Sequence, residues 1–311
     1  MESLNSIIEQ TLSKSFFEVI VIKNFNNSEV DGLIKSHGFR SILVEYPLPA
    51  PEMLSVAIEQ ANNEIISFLE DDDLFYRGKL ERTYKLFNEN PSLVFHHSGV
   101  KIFTDGDTRH FKGKQKLRPE KPLYIEGPDY DSRLLYYDAA FNISSMSILR
   151  HAIDLYHLKT LLTNQDMFML FSALKTGKTI LVDSETLTYY RVHDNNVSVN
   201  LSYEKKVKFN EKYSKTYFQI LDMIKGFRSL QNYLNMYMVG ALLEFDLRNR
   251  KRSRVMFKDI PIMVCLKLPY AIRRDPGQVP EIVAGVISAT LRSLFPKFFN
   301  TPIALKLTGG T

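Results

Sequence analysis

The chain has 311 residues, 44% hydrophobic and 24% charged, an ordinary composition for one large or two modest globular domains. Its net charge of +5 is uneven: residues 1–204 hold 21 Lys and Arg against 28 Asp and Glu, whereas residues 205–311 hold 19 against 7, so two parts with different tasks are expected. The lone Cys265 excludes an intramolecular disulfide and suits a reducing compartment; Met1–Gln10 does not read as a signal peptide, and no apolar run nears the ~20 residues of a membrane-spanning helix.

In chain order, Leu4, Ile7, Ile8 and Leu12 share a helical face. Phe16–Ile22 (FFEVIVI) is a near-continuous apolar run and reads as a buried strand. Val30–His37 reads as a helix stopped by Gly38, and Ser41–Val44 as a second strand. Leu54, Ala57, Ile58 and Ala61 mark another helix, followed by a Glu64–Leu69 strand, a helix through Leu80, Tyr84 and Phe87, and a Leu93–His96 strand. This alternation implies βαβ units and a mainly parallel sheet. Lys101–Asp131 reads as a surface excursion, Phe141–Leu149 as a strand, Thr163–Leu174 as a helix, and Thr179–Val182 and Leu187–Val192 as strands; from Tyr203 the pattern is helical.

The most informative stretch is Ile65–Phe75. An apolar run leads directly into four carboxylates, Glu70, Asp71, Asp72 and Asp73. Adjacent acids repel one another, so the run gains nothing without a cation. At the end of a buried strand they form a seat for Mg²⁺ or Mn²⁺, which in turn holds phosphate oxygens. The bland alternative is a solvated acidic loop.

Three blocks in order resemble the family 2 glycosyltransferases of GT-A fold: EVIVIKNFNNSEVDGLI, ANNEIISFLEDDDLFYRGKLE and TNQDMFMLFSALKTGKTILVDSETLTYYRVHDNNVS. With the helix ahead of them they span Leu4 to Ser198. The resemblance implies an α/β, GT-A-like domain over residues 1–204, with a mainly parallel sheet flanked by helices. Residues 205–311 would form a basic helical extension. The family's usual opening strand has no counterpart here, because the chain starts at the helix that follows it.

The resemblance further implies inverting transfer of a sugar from a nucleoside diphosphate sugar to an acceptor hydroxyl. Asp72 would ligate the metal, with His193 as a second ligand. Glu70 and Asp71 would contact the donor or the metal, and Arg191 the diphosphate. Asp166, in the pair Gln165-Asp166 where the family has Glu-Asp, would be the base, since Gln cannot accept a proton. Asp73 would cap the helix leading to Leu80. Asn142, Ser144 and Ser145 would line the acceptor pocket, and Lys23 and Asn24 stand where the family has acids near the nucleotide. Adjacent His96 and His97 on a strand point to opposite faces, so they are not a metal pair.

Behind these blocks, RNRKRSR (Arg248–Arg254) beside the interrupted apolar runs of residues 255–299 reads as a membrane-surface anchor. That places the protein in the cytoplasm, peripheral to the inner face of the membrane, with a glycan or lipid-linked acceptor. The other reading of the tail is a helical subdomain packed on the core. No nucleic-acid motif is present, so no such partner is expected. The rival function is a degenerate, non-catalytic partner or carbohydrate-binding protein, favoured by the missing strand and by Gln165. A nucleotidyltransferase would need a glycine-rich phosphate loop, which Gly32 and Gly38 do not make. A phosphatase would leave the Gln165-Asp166 and Tyr190–His193 blocks unexplained.

Overall fold

A computed structural model describes residues 1–104, 116–127, 132–193, 203–231 and 233–234. The chain divides into two compact units. One comprises Met1–Asn200 with Asp222–Leu230, the other Leu201–Leu221 with Gln231–Thr311.

The first unit opens with helix α1 (Glu2–Ile8). Strands β1 (Ile20–Lys23) and β2 (Arg40–Leu43) then pair in parallel, Ile20 opposite Arg40, across helix α2 (Ser28–Ser36). Asn27 starts α2 by accepting the Glu29 and Val30 amides, each at 3.0 Å, which satisfies two of the helix's free N–H groups. Gly38 at φ +69 ends it, a conformation glycine adopts without strain. Helix α3 (Ala50–Glu59) carries Pro51 in its first turn, where a missing N–H costs nothing.

A second, six-stranded sheet holds β3 (Ile65–Ser67), β4 (Leu74–Phe75), β5 (Leu93–Thr104), β6 (Leu123–Glu126), β7 (Met146–Leu149) and β8 (Thr179–Val192) in the order β3-β7-β5-β8-β4, with β6 also on β8. At 14 residues β8 is long enough to take β6 along its first part and β4 along its second. Helices α4 (Lys79–Glu89), α5 (Ser132–Tyr136), α6 (Leu155–Leu158) and α7 (Gln165–Lys175) complete this unit. Phe95, Met146, Ile148, Phe168, Phe171 and Leu181 form the centre of its core, and every residue from Met167 to Leu174 of α7 is buried.

The α/β class and its flanking helices follow the expected pattern, with differences in detail. β1–β2 and β5–β8 are parallel, but β3–β7, β5–β7, β4–β8 and β6–β8 are antiparallel, so the sheet is more mixed than the expected mainly parallel one. The cause is that β7 starts at the end of the sheet where β3 stops and must run back between β3 and β5. Among the described residues β3 is therefore an end strand, and it is half-buried instead of the buried strand expected ahead of the acids.

FFEVIVI is only partly a strand. Lys14–Phe16 forms a 3₁₀ turn, Phe16 is 53% exposed, and Ile20–Ile22 are half-buried, because β1 has a single partner strand among the described residues. The 141–149 segment is a 3₁₀ turn (Ile143–Ser145) before β7. The two strands expected within 179–192 are one, β8. Its irregular pairing near Gly99 admits Glu185, whose carbonyl oxygen would lie 2.9 Å from any Cβ at position 99.

Of the second unit, the described part is mainly helix α8 (Tyr203–Met223), which agrees with the helical pattern expected from Tyr203; its last two residues belong to the first unit. RNRKRSR and residues 255–299 lie outside the described residues, as do 105–115 and 128–131 of the expected surface excursion. No described helix is long and apolar enough to cross a membrane.

Candidate active site

The acid loop begins where β3 ends. Ser67 and Ser147 share a 2.7 Å hydroxyl contact across the β3–β7 pair, Phe68 is buried, and the Glu70 amide donates to Ser144 Oγ at 3.0 Å. These anchors turn the chain so that Glu70, Asp72 and Asp73 each bring a carboxylate oxygen within 4.8 Å of the others. Asp71 is exposed and outside this group.

Burial and the neighbouring acids both act on the carboxylates of the loop. Burial, then the charges of Asp73, Asp166, Asp72 and Asp71, push the Glu70 carboxyl up to about 8. Asp73 is also raised by burial, against hydrogen bonds from Asn142, Ser144 and the Arg191 amide that favour its ionised form. Asn142 Nδ2 donates to Asp73 Oδ2 at 2.6 Å and the Arg191 amide to Oδ1 at 3.0 Å. The expected helix-capping role of Asp73 is thereby overturned: α4 starts after Gly78, and Asp73 is wholly buried in the acid cluster.

The Arg191 and His193 side chains come to the same loop from the end of β8. His193 Nε2 donates to Asp72 Oδ2 at 3.1 Å. Arg191 Nε donates to the Asp72 carbonyl at 2.8 Å, its Nη2 pairs with Glu2, and its guanidinium lies 4.8 Å from the centre of the Phe103 ring. Three oxygen-bearing acids beside an imidazole suit a hard divalent cation. One further observation fits a polar occupant: the buried Asn142 Oδ1 has no hydrogen-bond partner.

Asp166 lies in the first turn of α7, after Asn164 in left-handed backbone (φ 59, ψ 43). Its Oδ1 accepts the Met167 amide at 2.8 Å. Burial, opposed by that amide and reinforced by the charge of Asp138, pushes its carboxyl up to about 6. Next to it, Gln165 Nε2 donates to Glu70 Oε1 at 3.4 Å, which joins the start of α7 to the acid loop. Glu70, Asp72, Asp166, Arg191 and His193 thus meet at one end of the sheet.

Other expected residues fall elsewhere. Asn142, Ser144 and Ser145 are buried, where they brace the acid loop and the turn before β7. Lys23 is buried, ion-paired to Asp31 and bonded to the Phe25 carbonyl at 3.2 Å. His96 and His97 diverge as expected: His96 Nε2 meets Asp183 Oδ2 at 3.1 Å, and His97 Nε2 meets the Phe141 carbonyl at 3.0 Å. Sequence reasoning missed Lys79. Its position on an amphipathic helix reads as solvated, yet its ammonium is buried under the loop, bonded to the Ser144 carbonyl and to Thr188 Oγ1.

Comparison with known proteins bears on the family and the fold. The sequence model of glycosyl transferase family 2 matches residues 1–155. An uncharacterised glycosyltransferase of Rickettsia bellii is 30% identical over 110 residues, 34% of this chain, which spans only 16% of that protein's length. The Bacillus subtilis protein TuaG, named as a teichuronic acid biosynthesis glycosyltransferase, is 23% identical over 208 residues, 64% of this chain and 76% of its own. Crystal structures of S. aureus TarS 1-349 in complex with UDP and with UDP-GlcNAc, each 14% identical, superpose with TM-scores of 0.56 and 0.58 over 94% of this chain and 84% of theirs, and share its fold. Through residues 1–155, which include the carboxylate loop but end before α7, the chain belongs to glycosyl transferase family 2.

Proposed function

We propose that the protein is an inverting glycosyltransferase that moves a sugar from a nucleoside diphosphate sugar to an acceptor hydroxyl with the help of a divalent cation. The observation that carries this reading is the junction of Asp166 with the acid loop through Gln165 and Glu70. A proton acceptor and a cation seat side by side are what sugar transfer from a diphosphate requires. The fold shared with TarS, solved with UDP and UDP-GlcNAc, supports a uridine diphosphate sugar as donor. The likeness to TuaG supports a cell-surface polysaccharide as acceptor.

In this reading Glu70, Asp72 and Asp73 would hold Mg²⁺ or Mn²⁺, with His193 sharing the ion or orienting Asp72. The bound cation would offset charge on the departing diphosphate. Arg191 holds the acid loop against β8 and adds positive charge beside the phosphates. Asp166 takes the proton of the attacking hydroxyl. A carboxyl lifted to about 6 is ionised at neutral pH yet more basic than an ordinary aspartate, which suits a general base. The basic tail would hold the active site at an anionic membrane surface where a lipid-linked acceptor waits.

The test is incubation of the purified protein with Mn²⁺ and a panel of uridine diphosphate sugars. Metal-dependent release of UDP, quickened by a matching acceptor, is expected. Metal-dependent donor binding without any turnover would favour the non-catalytic partner reading instead.

A further inference from the structure

Asn142 stands between the two halves of the site. Its backbone is at φ 62, ψ 104, in the left-handed range that side chains rarely adopt and that persists only where the surroundings enforce it. It is 4% exposed. Its carboxamide Nδ2 donates to Asp73, its main-chain N–H donates to the Asp166 carboxylate, and its carbonyl accepts from the Ser145 amide at 3.0 Å and from Ser145 Oγ at 2.6 Å. Glycine would hold the same turn without strain. A side chain kept in this backbone therefore has to be held there, and its one hydrogen bond goes to an acid of the cluster.

We propose that Asn142 is a positioning residue that fixes Asp73 for cation binding with its side chain and Asp166 with its backbone, setting the spacing between cation and base. This rests on the reading of Glu70, Asp72 and Asp73 as the cation seat. Asp73 takes three donors, from Asn142, Ser144 and the Arg191 amide. A carboxylate offers about four lone-pair sites, so its remaining acceptor direction is set by those three. Removal of the carboxamide frees Asp73 to turn, while the Asn142 amide still faces Asp166.

The test is Mn²⁺ binding by the full-length protein, read from loss of the free-ion electron paramagnetic resonance signal and from the spectrum of the bound ion. Asn142→Gly suits the same backbone and deletes the side chain, and with it the carboxamide that bonds Asp73. It is expected to weaken Mn²⁺ about tenfold or more, the usual effect of losing a partner that orients a ligand, and to change the bound-ion spectrum. In an Asp73→Asn background the same change is expected to add little, since the two act through one contact. A merely turn-forming Asn142 would be replaced by glycine without loss. Wild-type-like affinity in Asn142→Gly overturns this proposal alone. Failure of the wild-type protein to bind Mn²⁺ overturns the cation-seat reading and this proposal with it.

Discussion

The Lys79 ammonium donates to Thr188 Oγ1 at 2.8 Å with no solvent exposure, and the Phe75 ring centre lies 4.4 Å from it. A second donor goes to the Ser144 carbonyl, so α4, β8 and the Ile143–Ser145 turn meet on one charge beneath the acid loop. Burial lowers this amine to about 7, against the pull of Asp73. Below pH 7 it is charged in both folded and unfolded chains. Between pH 7 and its ordinary value of 10.5 the unfolded chain binds the extra proton, so stability rises with pH in that window. Urea unfolding is expected to show ~2 kcal/mol of added stability from pH 7 to 9. Lys79→Met, which fills the same space without a charge, removes that slope; an unchanged slope in the variant counts against the assignment.

Asp166→Asn keeps the shape of the α7 acid but cannot accept a proton. Donor binding is expected to survive, with kcat lower by about 10²-fold or more. In the wild-type enzyme activity is lost as pH falls and Asp166 is protonated. The bound cation draws that limb to or below the value of about 6. Retention of full transfer rate by Asp166→Asn would mean that another group serves as base.

Burial and neighbouring acids favour the protonated form of Glu70, which a bound cation would reverse. With Glu70 raised to about 8, binding of Mn²⁺ at pH 7 is expected to release a proton, and affinity to climb as pH approaches 8. Calorimetric titration in two buffers of different ionisation enthalpy reads the proton directly. Asp72→Ala is expected to abolish metal-dependent donor binding, and donor binding that stays metal-dependent in this variant would place the cation elsewhere.

The basic tail predicts salt-sensitive membrane attachment. Each Lys or Arg near an anionic surface is worth about 1 kcal/mol. Full-length protein is expected to float with anionic liposomes at low salt and to stay behind at high salt. Protein that remains in the aqueous phase at low salt assigns residues 205–311 to packing or association.

Much of this was legible in the residues themselves. Alternating helix and strand periods gave the α/β class, Gly38 marked the end of α2, and the acid run pointed to the place where the carboxylates of Glu70, Asp72 and Asp73 gather. Burial was the weaker inference, because it belongs to neighbours and not to the segment: FFEVIVI reads as buried, but β1 has one neighbour strand and stays half-open. Glu70, Asp71, Asp72 and Asp73 are chemically alike in a string; only the path of the loop sends Asp73 inward and Asp71 to water. The burial of Lys79 and the backbone of Asn142 were hidden for the same reason. A lysine on an amphipathic helix and an asparagine beside a serine pair carry no mark of a buried charge or of left-handed backbone.

The division of the sheet bears on association between copies of the chain at high concentration. Among the described residues β1 pairs only with β2 and β3 only with β7, which leaves two apolar strand edges without a neighbour. Such edges template pairing between molecules unless they are kept short or guarded by charge. Both defences are present. β3 is three residues long and β1 four, too few to seed a stable ladder, and the entries to both strands are bound together by Glu18, which accepts the Asn62 and Asn63 amides at 2.7 and 3.1 Å and meets Arg40 at 3.1 Å. Glu18→Ala would strip that guard, so aggregation on storage, rather than lost catalysis, is the fault to look for in it.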